Sequence, residues 1–327
     1  MRLDRFPTSK VNSGGGVVVS CRCGLSLRFM LHHDAKTAPA VEINDKGSGK
    51  ALVPNAFPLP VGPISSGGSC DATTSACVDC YAAGLENRSG GFARGASVNL
   101  ANLQHLKECG GQTAVVSALV SVIRFSELAQ RARGVASPCF RWHSAGDIFA
   151  SWYGKAIRSA VVLTGSVDHW IYTRDSVKVK GLLPVPENLR VFLSADSDNV
   201  RKMARAGSRF GLPLAMLADD RAHASGLWAR ALAVAPVPTA VVCPASGKWA
   251  NDSRGVASLV VGSDGRRSSV VRGGLGVGAC VACGLCLPGG PNKSVTFLLH
   301  GGKNRGATGG RLGAAISVRV RRSAVVS

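Results

Sequence analysis

Seven cysteines fall where thiolate chemistry would need them: Cys70, Cys77 and Cys80 in one cluster, Cys280, Cys283 and Cys286 in a second, and Cys243 directly before Pro244. The second cluster reads Cys-Val-Ala-Cys-Gly-Leu-Cys, a run too tight for ordinary core packing. Thiolates at successive two-residue gaps, with a distant Cys-Pro partner, have the spacing of iron–sulfur ligation, where three close cysteines take three irons and a remote one takes the fourth. Zinc competes, because soft thiolates suit both metals, but structural zinc draws its ligands from separated pairs. Cys243, Cys280, Cys283 and Cys286 are therefore the candidate ligands of one centre.

Cys70, Cys77 and Cys80 have no fourth thiolate nearby. Three protein ligands leave one coordination position open, the condition a catalytic metal needs and a closed structural site lacks. The blander alternative is a Cys77–Cys80 redox pair or zinc knuckle with Cys70 incidental. Leu59–Pro63 and a Ser-Ser-Gly-Gly stretch precede the cluster, which places it on a loop able to fold around a bulky centre. Cys21 and Cys23 read as incidental thiols.

Holding such a loop requires a scaffold, and the chain between the clusters supplies its pattern. Short apolar runs at Cys139–Trp142, His169–Tyr172, Leu189–Leu193, Leu214–Leu217 and Ala240–Val242 each stop at polar residues: His143, Ser144 and Asp147; Thr173, Arg174 and Asp175; Ser194, Asp196 and Asp198; Asp219 and Asp220; and Cys243. Helical spacers are expected at 148–162, 198–206 and 222–234, and Val115, Val116, Leu119, Val120, Ile123 and Leu128 predict a further helix over 111–132. Strand, crossover and strand at this cadence give an α/β protein with parallel strands, and polar residues gathered at their carboxyl ends favour a partial (β/α) barrel carrying its site there. The C-terminal cysteine-rich segment adds the second centre. The expected divisions are a weakly ordered extension over 1–45, the (β/α) domain over 46–243, the cysteine-rich segment over 244–305 and a basic flexible tail over 306–327.

A net charge of +20 and a pI near 10.1 favour a polyanionic partner, so nucleic acid is expected to meet the basic surface. No Cys2His2 finger or aromatic RNA motif is visible to read a sequence. Eleven cysteines, an odd number in 327 residues, exclude a small secreted disulfide scaffold. The apolar stretch 17–31 is broken by Arg22 and Arg28, so no membrane partner and a cytoplasmic location are expected. A DNA-nicking initiator would need a His-hydrophobic-His pair, which His32-His33, His143 and His169 do not supply.

A three-cysteine loop ahead of a (β/α) series resembles the radical S-adenosylmethionine superfamily over roughly 59–243. That resemblance implies a [4Fe-4S] cluster on Cys70, Cys77 and Cys80 whose open iron binds S-adenosyl-L-methionine, reductive cleavage of the bound sulfonium to a radical, and a reductant protein as partner. The spacing here is C-x6-C-x2-C where that superfamily has C-x3-C-x2-C, with Tyr81 matching the aromatic that often follows. Gly146-Asp147 would stand where the superfamily binds the methionine amine, although Asp147 could equally cap a helix beginning at Ile148. Arg174 could clamp a carboxylate or phosphate or pair with Asp175 or Asp196. Ser194 and Asp196 complete the candidate cofactor-binding set, and Asp198 reads as a helix cap.

The Cys-Tyr-Ala loop, His-Ser-Ala-Gly-Asp, Tyr172-Thr173-Arg174, Leu193-Ser194-Ala195-Asp196 and the terminal cluster followed by Val295-Thr296-Phe297 and His300 more closely resemble the phage gene-product-88 family of uncharacterised proteins. That likeness implies the domain arrangement without a reaction. The expected function is thus a phage or mobile-element iron–sulfur protein, with one or two clusters, modifying nucleic acid or protein. The alternative is a zinc-bearing nucleic-acid-binding protein in which both cysteine sets are structural.

Overall fold

The computed structural model describes residues 16–34, 54–71, 73–77, 80–132, 134–243, 280 and 284–298. A two-stranded antiparallel hairpin, β1 (Gly16–Ser20) and β2 (Ser26–Met30), comes first. The main sheet has seven strands: β3 (Ala56–Phe57), β4 (Cys139–Trp142), β5 (Asp168–Thr173), β6 (Leu189–Ala195), β7 (Leu214–Ala218), β8 (Ala240–Val242) and β9 (Ser294–Leu298). Their order is β3-β4-β5-β6-β7-β9-β8 and every pairing is parallel. The edges β3 and β8 do not meet, so the described residues form an open sheet and no closed barrel.

The five expected apolar runs are strands, and the spacers are helices: α3 (Ser151–Leu163), α4 (Val200–Phe210) and α5 (Arg221–Leu232). Between β3 and β4 lie the short α1 (Tyr81–Arg88) and the long α2 (Gly90–Arg131), which begins 21 residues before the periodic stretch. Helix α2 kinks at Gly111, whose backbone at φ 67° and ψ −159° no helix accommodates. It is long and apolar enough by composition to cross a membrane, but Val115, Leu119, Val122 and Ile123 are fully buried in the protein's own core.

Alternation along the strands divides the sheet into two unlike faces. On one, Phe140, Trp142, Ile171, Val191, Leu193, Leu214 and Met216 pack with Tyr153, Ile157, Met203 and Leu227 of the helices in one continuous core. On the other, Trp170, Tyr172, Phe192, Ala215 and Val295 are covered by Cys286, Leu287 and Cys243 with no helix residue among them. The segment 284–292 is held there by Arg190, which donates to the Pro291 carbonyl at 2.8 Å and lies over the Phe192 ring at 5.6 Å.

Within the stretch expected as an N-terminal extension, residues 16–34 carry the β1–β2 hairpin and the strand-edge contact that follows it. The β hairpin docks on α2, where Asn99 imitates a strand edge: its Oδ1 accepts from the Met30 amide and its Nδ2 donates to the Met30 carbonyl, each at 2.8 Å. The chain after β2 then pairs with the outer edge of β3 through His32 and Ala56, covering an edge that would otherwise be open to another chain. Residues 1–15 and the tail 306–327 lie outside the described residues.

Two histidines in the helix-side core set a pH dependence. Burial, and for His143 also the Arg141 charge, pushes His143 and His169 down to about 3. In the unfolded chain each titrates near 6.5, so the unfolded state takes up protons first as pH falls. Stability is therefore complete above that value and lost progressively toward pH 3, by about 2 kcal/mol per histidine between pH 7 and pH 5. Urea midpoints measured at the two pH values should differ accordingly; equal midpoints would show that neither histidine is buried neutral.

Candidate metal centre at the carboxyl ends of the strands

The Cys70–Cys80 loop leaves the carboxyl end of β3 and is tied in turn to the ends of the next three strands. Ser69 Oγ donates to the Pro60 carbonyl at 2.7 Å and accepts from the Asp147 amide, beyond β4, at 3.0 Å. Asp71 accepts from Lys178, beyond β5, at 2.8 Å. Thr74 Oγ1 lies 2.6 Å from both Asp196 Oδ2 and Arg174 Nη1, and Arg174 itself pairs with Asp196. Asp198 Oδ2 accepts from the Ser75 amide at 2.6 Å. A loop of small and polar residues is fixed this way because each short side chain satisfies a strand-end group that would otherwise face the site unpaired.

The three thiols share this loop. The Thr74 amide points at Cys77 Sγ across 3.4 Å, the Cys70 amide donates to the Gly62 carbonyl at 2.9 Å, and the Cys80 amide closes a turn to the Cys77 carbonyl. Burial first, then the Asp147, Cys80 and Cys77 charges, pushes the Cys70 thiol up to about 12. A bound cation reverses such a penalty, since coordination deprotonates a thiol outright.

Asp147 is buried, and its two carboxylate oxygens accept from the Ile148 amide at 2.7 Å and the Arg174 amide at 2.8 Å. Burial raises its pKa against those hydrogen bonds. It does not cap a helix at Ile148: α3 begins at Ser151 after Ala150, and Asp147 joins the end of β4 to the end of β5 instead. Asp198 is likewise not the cap of α4, which follows Asn199. Arg174 pairs with Asp196, one of the partners open to it. Ser194 sits on the helix-free face in register with Ala215, its carbonyl accepting from Asn199.

Gly146 holds the β4 end against the loop at φ 78°. A Cβ there would lie 2.3 Å from Ser69 Oγ and 2.7 Å from the Leu59 carbonyl oxygen. Gly146→Ala is therefore expected to cost at least about 1–2 kcal/mol for the left-handed backbone, and to detach Ser69 from Asp147. Urea denaturation checks this; a variant as stable as the parent would mean that the loop yields freely.

The second set lies on the helix-free face. The Cys280 thiol is pushed well up by burial and then by the Cys286, Asp34 and Cys243 charges. Burial and then the Cys286 and Cys280 charges raise the Tyr172 hydroxyl, which is within hydrogen-bond reach of Cys286. Arg141, paired with Asp34, lies 5.9 Å over the Tyr172 ring on this face. Cys243, Cys280 and Cys286 thus converge from three separate stretches, while Cys283 and His300 lie outside the described residues.

The profile of the Gene product 88 family matches residues 27–289. The chain belongs to that family. The match spans the hairpin's second strand, the whole sheet up to β8 and the cysteines of both sets, so the elements that build the site are Gene product 88 elements. No curated protein and no solved structure matches the chain.

Four donors missed at the sequence level also come together. Cys21, Cys23, His105 and Cys109 place their ligand atoms all within 4.8 Å of one another, and among the described residues only this group does so. The signal was present as Cys-x-Cys and a His-x3-Cys pair at helical spacing, but 82 residues separate the halves. Cys21 and Cys23, read as incidental from the sequence, thus lie beside His105 and Cys109.

Proposed function

We propose that this Gene product 88 protein is an iron–sulfur protein of radical S-adenosylmethionine type, with Cys70, Cys77 and Cys80 holding a [4Fe-4S] cluster. Cys243, Cys280, Cys283 and Cys286 would hold a second. The observation that carries the reading is that the three-cysteine loop follows β3 and is bound to the carboxyl ends of β4, β5 and β6. Parallel strands put ligands at that end.

Two further features support it. Among the described residues the core helices lie on one face and none packs on the other, as in a partial (β/α) barrel whose strands face an interior site. Cys70 feels the Cys77 and Cys80 charges, yet the three do not close to the mutual spacing of Cys21, Cys23, His105 and Cys109. Thiolates on different irons of a cluster stand farther apart than thiolates on one ion.

When bound, the open-site cluster would supply one-electron reducing power to S-adenosyl-L-methionine. The chain's own residues would do the positioning. Asp147, locked by two backbone amides and placed by Gly146, would accept from the amino group. Arg174, oriented by Asp196 and Thr74, would face the carboxylate, and Ser194 would line the floor. Tyr172, Phe192 and Phe297 pack together on the helix-free face and would keep water from the second cluster. The charge of +20 suits a nucleic acid or acidic protein substrate, and a cluster that must be reduced before it acts suits a reductant protein in the cytoplasm.

The test is anaerobic purification with iron, sulfide and zinc quantification, followed by EPR of the reduced protein with and without S-adenosyl-L-methionine. Iron and sulfide with a spectrum that changes on adding the cofactor are expected. Absence of iron would overturn the reading, and zinc held by Cys70–Cys80 and by Cys243–Cys286 would favour the zinc-bearing nucleic-acid-binding protein.

A further inference from the structure

We infer that Cys21, Cys23, His105 and Cys109 form a closed tetrahedral zinc site that fastens the N-terminal hairpin to α2, independent of both cysteine sets proposed to carry iron. The four ligand atoms come from two elements. Cys21 and Cys23 lie in the turn between β1 and β2, where the Gly24 amide donates to the Cys21 carbonyl at 3.0 Å and the Cys21 amide to the Leu25 carbonyl at 2.7 Å. Gly24, at φ 89°, lets the turn fold back so that both sulfurs face α2. His105 and Cys109 are four residues apart on that helix and so share one face.

The geometry suits one ion. A tetrahedron with zinc–sulfur arms of about 2.3 Å has edges of roughly 3.8 Å, and the four donors lie within 4.8 Å of one another, with Cys23 Sγ 3.2 Å from His105 Nε2. That crowding leaves no room for a multi-iron core. Three cysteines and a histidine fill a zinc ion's four positions, so the site is closed and structural rather than catalytic.

The surroundings are those of a thiolate ligand. The backbone of Cys23 and Arg22 and the Cys109 thiol lie beside the Cys21 sulfur. Neighbouring polar groups of this kind orient and stabilise metal-bound sulfur.

The position also gives the ion work to do. An isolated hairpin of five-residue strands is marginal in water, and Asn99 secures only its Met30 end. The metal would secure the opposite, turn end, two residues before α2 kinks at Gly111. Through His32 the hairpin continues into the edge of β3, from which the Cys70–Cys80 loop departs. Zinc here would stabilise the scaffold without touching the reacting site.

The test uses the full chain purified with its metals and combines two measurements. Zinc and iron are quantified in the parent, in Cys109→Ser and in the Cys70→Ser/Cys77→Ser/Cys80→Ser variant. In parallel, cysteines of the parent are alkylated before and after chelation and read peptide by peptide. The expected result is one zinc per chain in the parent and in the triple variant, lost in Cys109→Ser. The exposed Cys23 should resist alkylation until chelator is added, a readout that needs no variant to fold. Zinc absent from the parent, zinc retained by Cys109→Ser, or Cys23 alkylated freely in the zinc-loaded parent would each overturn the site. Absence of iron with zinc retained would overturn the iron–sulfur reading and leave this one standing.

Discussion

Asp196→Ala is expected to cost about 3–5 kcal/mol of stability, the penalty for leaving a partly enclosed cation without its anion, and, on the proposed reading, to deplete the Cys70–Cys80 loop of iron. Asp196 is 4% exposed and does three things at once: it pairs with Arg174, accepts from Thr74 Oγ1 at 2.6 Å, and accepts from the Asp198 amide at 3.0 Å. Truncation strands Arg174, whose side chain is 19% exposed, and frees the threonine that positions Cys77. Asp196→Asn, which keeps the shape and some hydrogen bonds but removes the charge, should fall between the parent and the alanine variant. A double variant with Arg174→Met should recover much of the stability, because removing both charges is far less costly than removing one, but it should not recover the iron. Urea denaturation and iron quantification read the two effects separately. Parent-like stability in Asp196→Ala would mean that Arg174 finds another anion.

Cys77→Ser is expected to remove one complete centre and leave the other, whereas Cys286→Ser does the reverse. Iron should fall by roughly half in each case if both sets hold clusters of equal iron content. On the proposed reading only Cys77→Ser should abolish the spectral response to S-adenosyl-L-methionine, because only its loop would leave an open position beside three thiolates. The two substitutions also differ structurally. Cys77 is partly exposed on a short 3-10 turn, so serine there should leave folding intact, while Cys286 is 9% exposed against Phe192, Ala215 and Val295 and its loss should also loosen the 284–292 segment. Full iron retention in Cys77→Ser would place the metal elsewhere.

Much of the scaffold was legible in the chain because its signals are local. A parallel strand buried on both faces reads as a short apolar run whatever surrounds it, and the apolar runs between 139 and 242 are strands, the exposed edge strand β8 included. Helices α3, α4 and α5 follow from periodicity between them. The β1–β2 hairpin was hidden because Val17 and Val19 alternate weakly over only five residues, beside charged Arg22 and Arg28. The first half of α2 was hidden because Gly90, Gly91, Gly95, Gly110 and Gly111 depress helix propensity where packing against the hairpin restores it. Strand β3, two residues long, carries no pattern at all.

The cysteines show the same division. Residue type and spacing along the chain determined that this protein carries cysteines in tight groups, on a parallel α/β scaffold whose strands end in Asp, Arg and Cys. Tertiary structure alone decided which donors meet. It tied Thr74 to Arg174 and Asp196, moved Asp147 and Asp198 from helix caps to strand-end and loop anchors, and brought Cys21 and Cys23 to His105 and Cys109 across 82 residues. The physical reason is that spacing constrains only ligands close along one element, while contacts between distant elements are set by packing and sheet order, which no local pattern records.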